Sequence, residues 1–379
     1  MPSSPKNNTT SLFSSTCDTS RGQFLPYIAK EESHQVILPC SPKSENIVSC
    51  KNPDLATFLK EIDGLDFNTI AGKPISLPIP RFIPIMERGL FLNSAETIGY
   101  DVVGVSLEDI FSSSPQRRGN QIYIPQLRIR EEALRSPIFK NKKVILFSSG
   151  RDVLIEKLWQ DFHELNFPEV LSRMGVAVVT GINFSVFLDD CPLGKAVNMK
   201  KSLKSMEYFQ EAGIETIPHI YFLHINHLQR WARWLQENPV VKTVAINCQF
   251  SRNRQTAINI SDGIKFLTEN TGREIHFLLE GPSQFLLREI HRLGCSSYIM
   301  IAIKKPSMDS IFGTLYAIER QKLTHKITKG LPMDKLLTPN FKIYEEYINR
   351  YIFESAWENV PTLLRTQRSS AVESSTRGK

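Results

Sequence analysis

Residues 241–303 read VKTVAINCQFSRNRQTAINISDGIKFLTENTGREIHFLLEGPSQFLLREIHRLGCSSYIMIAI, and the fold is decided there. Val241 to Phe250, Ile275 to Leu279 and Ser297 to Ile303 are β-branched, apolar runs of strand length. Between them, Thr256 to Thr271 and Pro282 to Gly294 carry apolar residues at helical spacing. The second of these stops on a glycine, as helix C-termini often do. Strand, helix, strand, helix, strand implies parallel strands joined by helical crossovers.

Upstream the pattern repeats. Pro78 to Met86, Val102 to Ser106, Val144 to Ser149, Val176 to Phe184 and Thr216 to Phe222 read as five more strands. Val153 to Arg173, Ala196 to Gly213 and Ile225 to Glu237 read as helices. Eight strands predict an α/β fold of the (β/α)8 TIM-like barrel type; an open doubly wound α/β sheet uses the same alternation and is the alternative. Ile122 to Ile124 offers an extra strand. Met308 to Pro361 reads as helices or caps packed on the barrel, with Phe341 to Trp357 an amphipathic helix. The domain reading is a mostly disordered N-terminal tail over 1–50, a barrel over 51–330, a helical cap over 331–361 and a disordered tail over 362–379.

The chain has 379 residues and a formal net charge of +7. Residues 1–30 contribute +2 and residues 362–379 contribute +3, so the body between them is close to neutral. One basic segment stands out, from Pro115 to Lys143, containing Arg117, Arg118, Arg128 and Arg130. It reads as a solvated loop and helix, or as a peripheral nucleic-acid contact. No apolar run is long enough to span a bilayer, so no membrane partner is expected. The six cysteines lack zinc, iron–sulfur or redox spacing, so no metal is assigned; no cofactor is legible and the oligomeric state is open. Reduced thiols suit a cytoplasmic location. A Ser-rich, acid-poor N-terminus keeps a plastid transit peptide as the alternative.

In a barrel of this kind, chemistry gathers at the C-terminal ends of the strands. Glu280, at the end of an apolar run, and Asp189 are the candidate acid–base pair, because two carboxylates in different environments can divide those roles. His219 is the third catalytic candidate, although a satisfied core histidine is the default. Asn183, Ser185, Gln249 and Arg252 line the expected ligand site, with Arg252 orienting an anion. Gly281 and Lys304 occupy positions where such barrels hold phosphate. Trp231 and Trp234, three residues apart, suit base stacking less well than core packing.

The stretch from Val144 to Ser251 carries Glu156-Lys157-Leu158-Trp159, then Asn183-Phe184-Ser185-Val186-Phe187-Leu188-Asp189 with Pro192, then Ile217-Pro218-His219-Ile220-Tyr221-Phe222. In order and spacing it resembles a bacterial and phage family known as domain of unknown function forty-four seventeen. The family's motifs read Glu-Arg-Leu-Trp, Asp-Phe-Ser-x-Tyr-x-Asp and Ile-Pro-x-x-x-Trp. Asn183, Phe187 and Phe222 depart from its Asp, Tyr and Trp. The resemblance implies a barrel-like fold and mobile-element ancestry and supplies no reaction; Asn183 in place of an acid implies a lost activity if that acid works in the family. Whether the chain is an enzyme is therefore open. Three readings stand: an enzyme-like barrel taking a small anionic or nucleotide-like ligand, a nucleic-acid-associated protein of the base-modifying type, and a non-catalytic interaction protein on a degenerate barrel.

Overall fold

The computed structural model describes Leu59 and residues 62–67, 74–93, 98–112, 116–118, 121–124, 126–186, 192–249, 251–328 and 330–354. Both tails expected from the sequence lie outside these residues, as do Asp189 and Trp357. Eight parallel strands form one sheet: β1 (Phe82–Met86), β2 (Val102–Ser106), β3 (Lys143–Phe147), β4 (Val176–Thr180), β5 (Glu215–Ile217), β6 (Thr243–Asn247), β7 (His276–Glu280) and β8 (Ile299–Ile303). Their order is β5-β4-β3-β2-β1-β8-β7-β6, so first and last strands are neighbours. The two ends of that row meet as well. His219 bridges Ala245, with Ile220 N–H donating to Ala245 O at 2.9 Å and Ala245 N–H to Pro218 O at 2.7 Å. This contact makes the sheet a (β/α)8 TIM-like barrel and rules out the open doubly wound alternative.

Strand alternation sorts the side chains into two layers. Ile83, Ile85, Ile145, Phe147, Val178 and Leu278 fill the barrel interior. Phe82, Met86, Leu146, Val179, Phe277 and Leu279 face outward into a larger core beneath the helices. Gly104 on β2 makes room for this interior, because a Cβ there would lie 2.6 Å from the Phe147 ring and 2.9 Å from Ile85. At the N-terminal end, Ile75, Leu77 and Ile79 pack on the interior as a plug. The Glu215 carboxylate holds it, accepting from Ser76 N–H at 3.0 Å, from Leu77 N–H at 3.3 Å and from the Ser76 hydroxyl.

The crossovers include α1 (Arg88–Asn93), α2 (Leu107–Ile110), α3 (Asp152–Gln160), α4 (Phe167–Arg173), α5 (Pro192–Glu211), α6 (Ile225–Glu237), α7 (Arg254–Asn270) and α8 (Gln284–Arg292). The single helix expected over Val153 to Arg173 is two. Asn166 adopts φ +49° between them, and Pro168, which has no N–H to give, sits in the first turn of α4. On α6, Trp231 and Trp234 are fully buried, with rings 5.7 Å apart and edge to face, and Trp231 Nε1 donates to Tyr221 O at 2.8 Å. They are core residues, unavailable for base stacking.

Two further expectations need correction. The described residues between 115 and 143 contain no helix beyond short 3-10 turns at Ala133–Arg135 and Pro137–Phe139. Gln116–Arg118 and Gln121–Tyr123 instead form an antiparallel hairpin outside the barrel, which is where the extra strand near Ile122 belongs. After α9 (Lys305–Ile311), the region expected to be helical caps contains the antiparallel strands β9 (Thr314–Glu319) and β10 (Lys322–Ile327). They precede α10 (Met333–Tyr347) and a π-helical turn, Ile348–Glu354. Buried Asn340 on α10 ties the hairpin down: its Oδ1 accepts from Tyr316 N–H at 2.7 Å, and its Nδ2 donates to Thr314 O at 2.7 Å. No helix of the described residues is long and apolar enough to cross a membrane.

Candidate functional site

Each strand delivers its last residues to the same end of the barrel, and there polar side chains enter an otherwise apolar interior. Glu280 closes β7 and is 5 % exposed. The Ser149 hydroxyl, just past β3, donates to its Oε2 at 2.6 Å. Burial pushes the Glu280 carboxyl up to about 7; the Ser149 hydrogen bond and the charge of Lys304 oppose that rise. Glu280 therefore exchanges a proton near neutral pH.

Beside it, Lys304 at the end of β8 reaches two carboxylates, Asp109 Oδ2 at 2.7 Å and Glu87 Oε2 at 2.8 Å. Burial raises the Asp109 carboxyl to about 6 against the pull of Lys304. One ammonium thus serves a carboxylate just past β1 and one on α2 while also acting on Glu280. Further round the rim, Glu108 Oε1 accepts from Arg151 N–H at 2.7 Å and from Arg151 Nε at 3.1 Å.

A second polar group lies beyond β4 and β5. Asn183, Asn198, Ser202, His219 and Tyr221 line a small cavity with Trp231 and Phe184 on its wall. Asn198 Nδ2 donates to Ser185 O at 2.6 Å, and the Ser185 hydroxyl donates to Asp152. His219 is buried as expected but not satisfied, since its Nε2 has no hydrogen-bond partner, and neither has Asn198 Oδ1. Burial lowers the His219 imidazole to about 3, which holds it neutral. Because β5 ends at Ile217, His219 lies past the strand, and His224 lies farther on as the N-cap of α6.

The structure thus brings Glu280 and Lys304 together at the strand ends and places Asn183 and His219 on one cavity. It does not make the Gly281 turn a phosphate cradle. Gly281 N–H donates to Ala302 O at 2.8 Å, Ser283 N–H donates to Ser251 Oγ at 3.0 Å, and Pro282 has no N–H. Lys304 is already shared between two carboxylates, so it is no anchor for an anion either. Gln249 and Arg252 are exposed at the rim beyond β6. In the basic segment, Arg117 and Arg128 are exposed, whereas Arg130 is partly buried with its Nε unpartnered; the side chain of Arg118 lies outside the description. Asp109, Ser149 and Asn198 escape a sequence reading, because each matters through a partner on another strand or crossover. The one available signal was that Ser149 ends the same apolar run as β3. Among the described residues, no three His, Cys, Asp or Glu side chains form a group that could hold a metal.

A comparison with models of known protein families finds no match, and a search of curated proteins finds no relative. The reading of this site therefore rests on its geometry.

Proposed function

We infer that this barrel is an enzyme that takes a small polar ligand at the C-terminal ends of its strands and moves a proton through Glu280. The observation that carries this reading is a buried carboxyl whose proton affinity lies near neutrality, held in place by the Ser149 hydroxyl. A group poised in this way can give or take a proton without a large driving-force penalty in either direction. Lys304 would hold the charge of the ionised form, and Asp109, with its own raised proton affinity, would buffer Lys304. Exposed Arg252 would supply the anion contact at the rim, which favours a ligand with a phosphate or carboxylate end.

A thermal-shift screen against nucleotides and sugar phosphates tests the reading. At least one compound is expected to raise the melting temperature and to lose that effect in Glu280→Gln. If no compound shifts the wild type, or if Glu280→Gln responds to every compound as the wild type does, the reading fails.

A further inference from the structure

At its other end the barrel is incompletely zipped, and a cavity of about 300 Å³ lies there. Its lining combines the plug residues Ile75, Leu77 and Ile79 with Thr216, Pro218 and Thr243 from the facing edges of β5 and β6. This is the low end of the size range of small-molecule sites.

The opening has a cause in the sequence. In a parallel ladder, alternate residues send their N–H and C=O to opposite neighbours. Ile217 O accepts from Gly181 N–H on the β4 side, so Ile217 serves β4 and its neighbours Thr216 and Pro218 face β6. Lys242 O accepts from His276 N–H on the β7 side, so Thr243 and Ala245 face β5. Ala245 finds its partners in Pro218 O and Ile220 N–H. The next rung would need an N–H at position 218 to reach Thr243 O, and proline has none. No other bridge joins the described residues of the two strands. No hydrogen bond joins Thr216 N–H to Val241 O, and Thr243 O receives none from position 218; the cavity wall around them carries Ile75, Leu77 and Ile79 together with the polar side chains of Gln210, Lys242 and His276.

We propose that this seam cavity binds a small apolar amide, the chemistry of a short extended stretch of aliphatic peptide. Such a ligand carries a donor and an acceptor spaced like a strand's own, so it can complete the missing rungs while its side chain packs on Ile75, Leu77 and Ile79. A pure hydrocarbon would leave the strand edges unpaired. The site is independent of Glu280 and lies at the opposite end of the barrel.

N-acetylvaline N-methylamide is a suitable probe, and N-acetylvaline methyl ester, which lacks one N–H, is its control. Titration of the full chain followed by heteronuclear NMR is expected to show saturable shifts for the amide and binding about fivefold weaker for the ester, the worth of one net hydrogen bond. Val241→Trp fills the cavity and should weaken amide binding by about tenfold or more, with Val240→Phe as the substitute if that variant does not fold. Pro218→Ala restores the absent donor, lets the seam close, and should also weaken binding. The proposal is overturned if the amide gives no saturable shifts, if ester and amide bind equally, or if the folded cavity-filling variant and Pro218→Ala both bind like the wild type.

Discussion

At the C-terminal end of the barrel, buried polar groups are numerous and mostly paired: Glu280 with Ser149, and Lys304 with Asp109 and Glu87. At the N-terminal end, an aliphatic plug covers a cavity; the Glu215 carboxylate accepts from the plug's main chain, and Gln210, Lys242 and His276 stand on the cavity wall. Both ends close the same cylinder, but only the first holds ionisable side chains away from water at a cost in solvation. That cost is typical of sites kept for chemistry, whereas the plug end is organised by packing and by strand pairing.

The contrast is bounded by the interior that both ends share. Leu278→Ala removes a fully buried side chain from the middle of the barrel and should cost about 4 kcal/mol in urea unfolding. A loss below about 1 kcal/mol would mean that the interior collapses freely around a void. Next comes the pH dependence of the charged end. The Glu280 carboxyl titrates near 7 when folded and near 4.5 when free, so the folded state binds the extra proton between those values. Stability should be greatest below pH 4.5 as far as this group is concerned, fall as pH rises through 7, and level off above it, by about 3 kcal/mol in all. Glu280→Gln should flatten that slope, and an unchanged slope would place the titration elsewhere. Lys304→Met strips two carboxylates of their donor and should cost about 2 kcal/mol at pH 7 and less at pH 5, where Asp109 is protonated. Equal losses at both pH values would contradict the raised Asp109 proton affinity. The plug should be the most tolerant, with Leu77→Ala costing about 1 kcal/mol because its side chain is only partly buried.

The eight strands were legible because each is a short run of β-branched, aromatic or other apolar residues, and Ile225–Glu237 was legible to the residue because its apolar stripe is unbroken. The β9–β10 hairpin was not. Its turn is Arg320-Gln321, both in the left-handed region at φ +49° and +63°, where a sequence reading looks for Asn or Gly. The break at Asn166 was hidden for a similar reason, since apolar spacing continues across it on both sides. Of the candidate site, Glu280 could be picked out as an acid ending an apolar run. Its environment could not, because Ser149 lies 131 positions away and Asp109 reaches Lys304 across 195. Pairings over such separations leave no periodic trace in a single sequence. Pro218 was visible as a proline inside the run read as Thr216 to Phe222, but that the strand ends before it, and its effect on Thr243, required the register.

That absent rung also bears on how the barrel opens and closes. Seven neighbouring strand pairs are held by ladders, including β1 with β8, which joins residues more than two hundred positions apart. The eighth pair, close in sequence, has a single bridge. The cylinder therefore has a built-in slit, and opening it breaks two inter-strand hydrogen bonds without disturbing the remote pairing of first and last strands. In hydrogen exchange the Ile220 and Ala245 amides should form a low-energy opening unit of their own, separate from the global unfolding that releases the amides of β7 and β8.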